Sequence, residues 1–219
     1  MADHSDDALI REIDDEIRQE QFQKAWNRYG KIVIAAAVLI VVGVAGYQIW
    51  RNYDLSTRRQ LGDQFARAQH QLIAGNGDAA TQTFKSLAAG GGGYGLLARF
   101  QAARLMADRG DAAGALQAYR AIRVDGGAPD LYKDLADLLA VSLELNAGDA
   151  DTAALETRLA RLAVAGNPWR LTALELQAAL ALKKGDKTAA RAVYEALSKD
   201  AGAPTQMKQR AAEMLTILR

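Results

Sequence analysis

Few side chains in this sequence could do chemistry, and their spacing argues against catalysis. The two histidines, His4 and His70, have no second ligand at the spacing of a metal site. There is no cysteine, which excludes disulfides, thiolate zinc sites and cysteine nucleophiles. No serine is paired with a base in the pattern of an activated nucleophile. We therefore expect no metal, no other cofactor and no catalytic residue.

Four aspartates recur at similar intervals and could be mistaken for a carboxylate cluster. Each follows a glycine, at Gly77-Asp78, Gly110-Asp111, Gly148-Asp149 and Gly185-Asp186. Glycine suits the left-handed position that ends one helix, and aspartate can cap the next, so helix capping accounts for all four pairs. The glycine run 90–93 lacks the Gly-Lys-Ser/Thr of a phosphate-binding loop. The sequence therefore predicts that the protein is not an enzyme.

The composition favours helices. The 219 residues are 50% hydrophobic, aromatic residues make up 6%, and there are three prolines. Alanine and leucine, which dominate the apolar fraction, fit a helix at little cost in entropy. The net charge of +1 creates no strong field for nucleic acid. We expect an all-α protein without a nucleic-acid partner.

Residues 32–50 form an uncharged apolar run (IVIAAAVLIVVGVAGYQIW). As a helix it is about 28 Å long, close to the hydrocarbon thickness of a bilayer. Aromatic and basic residues expected at the membrane interface flank the run: Trp26, Tyr29, Lys31, Tyr47, Trp50 and Arg51. A cleaved signal peptide is the competing interpretation, but the run exceeds a usual signal core and follows a long acidic segment. The sequence predicts one transmembrane helix that anchors the chain in a lipid bilayer.

The segment before the helix, residues 1–31, is acidic and predicted to be cytoplasmic. It carries eight acidic and five basic side chains, with the bases Lys24, Arg28 and Lys31 nearest the membrane. Bases close to the span favour a cytoplasmic N-terminus and an exported C-terminal domain. Leu9, Ile13 and their neighbours form an apolar stripe at helical spacing. This stripe fits either a simple amphipathic helix or a helix that docks on another protein.

After a predicted linker at 51–58, residues 59–219 contain turn-forming residues at regular intervals. The four Gly-Asp pairs are spaced by 33, 38 and 37 residues, and Pro129, Pro168 and Pro204 fall at complementary positions. This alternation predicts four helical hairpins (about 59–90, 94–125, 129–166 and 168–200) and a capping helix at about 204–218. Such hairpins cannot bury their apolar faces alone, so neighbours must stack into a solenoid.

Three hairpins carry alanine four residues before an aromatic residue, a spacing that places both on one helix face. The pairs are Ala80/Phe84, Ala115/Tyr119 and Ala190/Tyr194. Together with the hairpin length, they resemble tetratricopeptide (TPR) repeats. The third hairpin departs from the pattern, with Ala153 and Thr157, and the Trp–Leu–Gly–Tyr signature of the first helix is missing.

The layout as a whole resembles the YfgM family of bacterial inner-membrane proteins, ancillary subunits of the SecYEG translocon. The resemblance rests on the acidic segment, the stretch from Trp26 to Lys31, the span that ends Gly46-Tyr-Gln-Ile-Trp50-Arg51, and the TPR-like hairpins. It implies a periplasmic repeat domain that works with SecYEG and a PpiD-like chaperone on newly exported proteins. The alternative is a membrane-anchored adaptor for envelope assembly or signalling that acts through its N-terminal segment.

Overall fold

The computed structural model describes residues 3–148 and 151–218. All regular secondary structure in these two ranges is α-helical. The helices are α1 (Asp3–Ile73), α2 (Gly77–Ala89), α3 (Gly92–Asp108), α4 (Ala112–Arg123), α5 (Asp130–Asn146), α6 (Thr152–Leu162), α7 (Arg170–Lys183), α8 (Lys187–Lys199) and α9 (Thr205–Ile217). The predicted all-α class is confirmed.

The chain forms two units, Met1–Gln60 and Leu61–Arg219. Helix α1 supplies the first unit, and residues 51–58, predicted as a linker, lie within this helix. Side-chain surroundings in α1 are described from Trp26 onward, apart from residues 29, 33 and 37. The N-terminal apolar stripe and the side chain of Tyr29 are thus outside the described part of the chain.

The second unit is an array of four helical hairpins and one further helix. The end of α1 pairs with α2, and the pairs α3/α4, α5/α6 and α7/α8 follow, with α9 packed on α8. Four apolar clusters, one centred on each hairpin and its neighbour, form the core. The predicted TPR-like array with a C-terminal capping helix is therefore confirmed.

Three corners share one backbone motif. Gly75, Gly110 and Gly185 have φ of 80°, 85° and 80°, a region that a side chain disfavours. At each corner the glycine amide donates to the carbonyl three residues back, and the next amide donates to the carbonyl five residues back, as in a Schellman motif. The residue after the glycine is then the N-cap of the following helix.

The first corner differs from its predicted position. Gly77 and Asp78 begin helix α2, whereas Gly75 is the left-handed residue and Asn76 the N-cap. The helix α1 ends two residues earlier than expected because the amide of Asn76 donates to the carbonyl of Gln71 at 2.8 Å. The assignment of Gly77-Asp78 as the turn was wrong by two residues.

The third corner is also displaced. Gly148 does not have a positive φ, and Asp149 lies outside the described residues. Asp151 caps α6 instead, and its Oδ1 accepts from the amides of Ala153 and Ala154 at 3.1 Å. With no left-handed glycine there, Lys183 of α7 donates to carbonyls at the end of α5, those of Leu145 (2.6 Å) and Ala147.

All four second helices bury the same positions when they are numbered from their N-caps. The fourth, eighth and eleventh residues after the cap are at most 6% exposed: Ala80, Phe84 and Leu87; Ala115, Tyr119 and Ile122; Leu155, Leu159 and Leu162; Ala190, Tyr194 and Leu197. In the third hairpin, Leu155 and Leu159 therefore occupy the buried positions that the sequence analysis assigned to Ala153 and Thr157. That assignment was wrong by two residues, because Asp151 and not Asp149 caps α6.

Replacing Asp151 by alanine should lower the free energy of unfolding by about 1 kcal/mol, since two helix amides lose their acceptor. Urea unfolding of the full chain in detergent, followed by circular dichroism, measures the change. Asp151→Ser keeps a capping oxygen and should recover most of the loss. An Asp151→Ala variant as stable as the wild type would contradict this assignment of the cap.

Candidate interaction surfaces: an apolar helix and a repeat groove

The apolar part of α1 is fully uncovered in the described structure. All described side chains from 31 to 53 are exposed, with Leu39 at 72% and Ile49 at 71%. The helical stretch Gly30–Ile73 contains a window long and apolar enough to cross a bilayer, and none of that window is buried. A helix satisfies its own backbone hydrogen bonds, so lipid can surround these side chains without leaving a backbone N–H or C=O group unpaired. The chain thus carries a helix with the length and exposure of a membrane anchor.

The residues predicted at the membrane interface lie at the two ends of this apolar stretch. Trp26 and Lys31 are exposed, and the indole of Trp26 lies over Gly30, where an added Cβ would meet ring atoms at 3.2 Å. At the other end, the rings of Tyr47 and Trp50 are 6.4 Å apart. Arg51 follows and is exposed. Amphipathic rings and bases of this kind suit the headgroup region of a bilayer.

The predicted alanine–aromatic pairs lie in the core of the repeat unit rather than on its surface. Phe84 meets Phe65 edge-on with ring centroids 5.3 Å apart, and Tyr119 lies 6.1 Å from Phe100. Burial raises the pKa of the Tyr119 and Tyr194 hydroxyls. These side chains hold the hairpins together and leave the exposed faces for binding.

A groove opens on the array between α7, α8 and α9, with a volume of about 370 Å³. The groove is lined by Thr172, Glu175, Leu176, Ala179, Tyr194, Arg210, Glu213 and Met214. Arg210 donates from Nε and Nη2 to the two carboxylate oxygens of Glu175, at 2.9 and 3.0 Å. This two-fold hydrogen bond is the main cause of a raised pKa at Arg210. A groove with an apolar floor and charged rim can take an apolar side chain of another polypeptide.

A network of ion pairs joins α4, α5 and α6. Asp137 on α5 has no exposed surface and receives hydrogen bonds from Arg158 Nε at 2.9 Å and Arg161 Nη2 at 3.0 Å. Arg158 also binds Glu144 at 2.6 Å. Arg161 donates to Asp134, which is the largest cause of its raised pKa. A fully buried carboxylate needs such partners, so this network fixes the hairpin rather than offering a free binding group.

Two loops repeat one sequence, Asp-x-Gly-Ala-Pro: residues 125–129 precede the third hairpin, and residues 200–204 precede α9. Asp125 accepts from Arg99 and from the amide of Gly127, and Asp200 accepts from Arg170 at 2.6 Å and the amide of Gly202. The arginine hydrogen bond, followed by the glycine amide, holds the pKa of each carboxyl below its usual range. Charge thus fixes the loop that leads into the third hairpin and the loop that leads into α9.

Sequence reasoning missed the groove and the ion-pair network. The groove residues on α7, at 172, 175, 176 and 179, form a second stripe at helical spacing beside the buried one. That stripe is visible in the sequence. In contrast, Asp137 looks like any surface aspartate, because its partners lie more than 20 residues away along the chain.

An exposed apolar helix followed by stacked hairpins with an open groove is typical of helical-repeat proteins that bind other proteins. The chain belongs to the tetratricopeptide repeat-like domain family, whose sequence model matches residues 23–215. It is 24% identical, over 81% of its own length and 84% of the relative, to a protein of Escherichia coli (strain K12) named "Ancillary SecYEG translocon subunit". This similarity confirms the resemblance drawn from the layout of the chain. No solved structure matches.

Replacing Asp137 by asparagine should destabilise the protein by about 3 kcal/mol, because this buried position loses the charge that accepts hydrogen bonds from Arg158 and Arg161. Arg123, half exposed and 3.8 Å from Asp137, provides the control. Its replacement by alanine should cost less than about 1 kcal/mol, as for other exposed ion pairs. Urea unfolding of the full chain measures both variants. Equal losses would show that Asp137 is not the centre of the network.

The lowered pKa of Asp125 and Asp200 predicts a loss of stability in acid. Their contribution is complete above the ordinary aspartate pKa of about 3.9 and disappears as pH falls through the lower pKa of the folded state. The double variant Asp125→Asn/Asp200→Asn should therefore lose less unfolding free energy than the wild type between about pH 5 and pH 2. Urea titrations at stepped pH measure the difference. Parallel pH curves would contradict the assignment.

Proposed function

We propose that this chain is a membrane-tethered scaffold of the bacterial inner membrane that assists newly exported proteins. In this role it works beside the SecYEG translocon and a PpiD-like periplasmic chaperone. The observation that carries the proposal is the combination in one chain of an uncovered apolar helix and a TPR-like array with an open groove. The printed name of the E. coli relative, an ancillary translocon subunit, supports the choice of partner.

The proposed orientation places the acidic N-terminal segment in the cytoplasm and the repeat unit in the periplasm. The bases next to the apolar run on its N-terminal side, Lys24, Arg28 and Lys31, support this direction. In this arrangement the repeat unit stands where translocated polypeptides emerge. The short acidic segment stays on the side where proteins enter the translocon.

Binding is the proposed work of the repeat unit, without catalysis. Stacked hairpins turn slightly relative to each other and create an extended surface that can hold a segment of another protein. The α7–α9 groove offers Leu176, Ala179 and Met214 for an apolar side chain, and the flexible thioether of methionine can adapt to different residues. Glu213 and the Glu175–Arg210 pair supply polar contacts at the rim.

Filling the groove should disrupt binding. Ala179→Trp places a large ring among the lining residues, whereas Ala212→Trp puts the same ring on an exposed position of α9. Affinity-tagged full-length protein, solubilised in mild detergent from native membranes, should recover SecY and chaperone. We expect Ala179→Trp to lower recovery about fivefold, as for loss of an anchor worth 1 kcal/mol, and Ala212→Trp to match the wild type. Circular dichroism checks that both variants fold.

Two other results of this experiment, and one result of a deletion, would count against the proposal. Recovery of no translocon or chaperone subunit by the wild type would contradict the proposed function. Equal recovery by Ala179→Trp and wild type would exclude the groove as the contact. Loss of all recovery on deletion of residues 2–24 would favour the adaptor that acts through its N-terminal segment.

A further inference from the structure

The first, second and fourth hairpins correspond to one another position by position. Each has a left-handed glycine at its corner, and the ninth residue after that glycine is the aromatic side chain in the core of the second helix. The seventh residue before the glycine is an alanine without exposed surface: Ala68, Ala103 and Ala178. Both helices of these three hairpins can therefore be compared by counting from the corner.

The tenth residue before the corner differs among the three hairpins. In the first two it is a phenylalanine that contacts the core aromatic ring of its own hairpin, with ring centroids 5.3 and 6.1 Å apart: Phe65 with Phe84, and Phe100 with Tyr119. In the fourth hairpin this residue is Glu175, and the core ring is Tyr194. The fourth hairpin thus has one ring of the pair and a carboxylate at the position of the other.

Glu175 leaves the position of the second ring open. Its carboxylate is held by Arg210 on α9, which donates to both oxygens at 2.9 and 3.0 Å. Met214, one turn beyond Arg210, packs against the cluster that contains Tyr194. All four side chains line the α7–α9 groove. The groove therefore lies where a phenylalanine ring completes the packing in two other hairpins.

The rim of the groove is acidic. The lining has two carboxylates, Glu175 and Glu213, and one guanidinium, Arg210, which gives it a net formal charge of −1. Arg210 is engaged by Glu175, and Glu213 is exposed on α9. A basic side chain close to the apolar group that enters the groove would complement this charge.

We propose that the α7–α9 groove binds an aromatic side chain of a partner polypeptide that has a lysine or arginine next to it in sequence. The proposal rests on the binding role proposed above and adds the chemistry of the bound segment. The partner's ring packs on Tyr194 as Phe100 packs on Tyr119, beside the thioether of Met214. The basic neighbour lies near Glu213.

Methyl NMR tests this site through Met214. The full chain in lipid nanodiscs is labelled with carbon-13 at its four methionine methyl groups, and Met106, which packs in the core of the second hairpin, is the internal control. The probe is the peptide acetyl-Gly-Lys-Phe-Lys-Gly-amide. In a matched peptide, cyclohexylalanine replaces phenylalanine and keeps its size without the aromatic ring. We expect a ring-current shift at Met214 but not at Met106, and an about fivefold higher Kd for the cyclohexylalanine peptide.

Two substitutions of Glu175 separate filling of the groove from loss of its ion pair. Glu175→Phe introduces the residue that the first two hairpins carry, so it should fill the groove and abolish the Met214 shift. Glu175→Gln breaks the ion pair but leaves the groove open, and should change the Kd less than about threefold, because exposed ion pairs contribute little. Thermal unfolding by circular dichroism checks that both variants fold. Ala179→Trp provides a second filled groove and should also abolish the shift.

Several results would overturn the proposal. These are no Met214 shift with the phenylalanine peptide at millimolar concentration, the same shift in Glu175→Phe as in the wild type, or equal affinity for the two peptides. Equal affinity for a peptide with glutamates in place of its lysines would overturn the basic neighbour. A wild-type chain that recovers no translocon or chaperone subunit from membranes but shows the Met214 shift would contradict the proposed function and support the aromatic site.

Discussion

The repeat unit depends on one constraint: each second helix must begin at a fixed distance from the side chains that it buries. A hairpin of this length cannot bury its apolar face alone, and stacking requires that successive faces match. The structure meets this requirement by burying the fourth, eighth and eleventh residues after every N-cap. The spacing between Gly-Asp pairs in the sequence can vary because the cap, and not the pair, sets the count.

The third hairpin shows what happens when the usual corner is missing. Without a left-handed glycine before α6, Lys183 binds the carbonyls at the end of α5, and Asp151 starts α6 in the correct register. Leucines replace the small–aromatic pair in its core, and the buried Asp137 with its arginines holds α5 to α6. Polar contacts thus stabilise the corner between α5 and α6, where the other corners have a left-handed glycine. The pairing remains specific because a buried carboxylate tolerates few alternative partners.

The sequence allowed prediction of the helices, the number of hairpins and the apolar span, because these depend on local periodicity and turn residues. The errors at Gly77 and Asp149 arose because several glycines and aspartates near a corner can serve as turn or cap, and long-range packing selects among them. The groove and the buried Asp137 could not be predicted, since both are formed by residues of different helices. A second stripe on α7, at Leu176 and Ala179, was the available signal for the groove.

In the proposed arrangement, the helix at 32–50 tethers an interaction domain to the outer face of the inner membrane. Protease treatment of intact spheroplasts that express the full chain with an N-terminal tag tests it most directly. We expect the repeat unit to be digested from outside, while a tagged fragment of the N-terminal segment and helix survives and resists extraction by alkaline carbonate. A repeat unit that is digested only after lysis, or a tagged fragment released by carbonate, would contradict it.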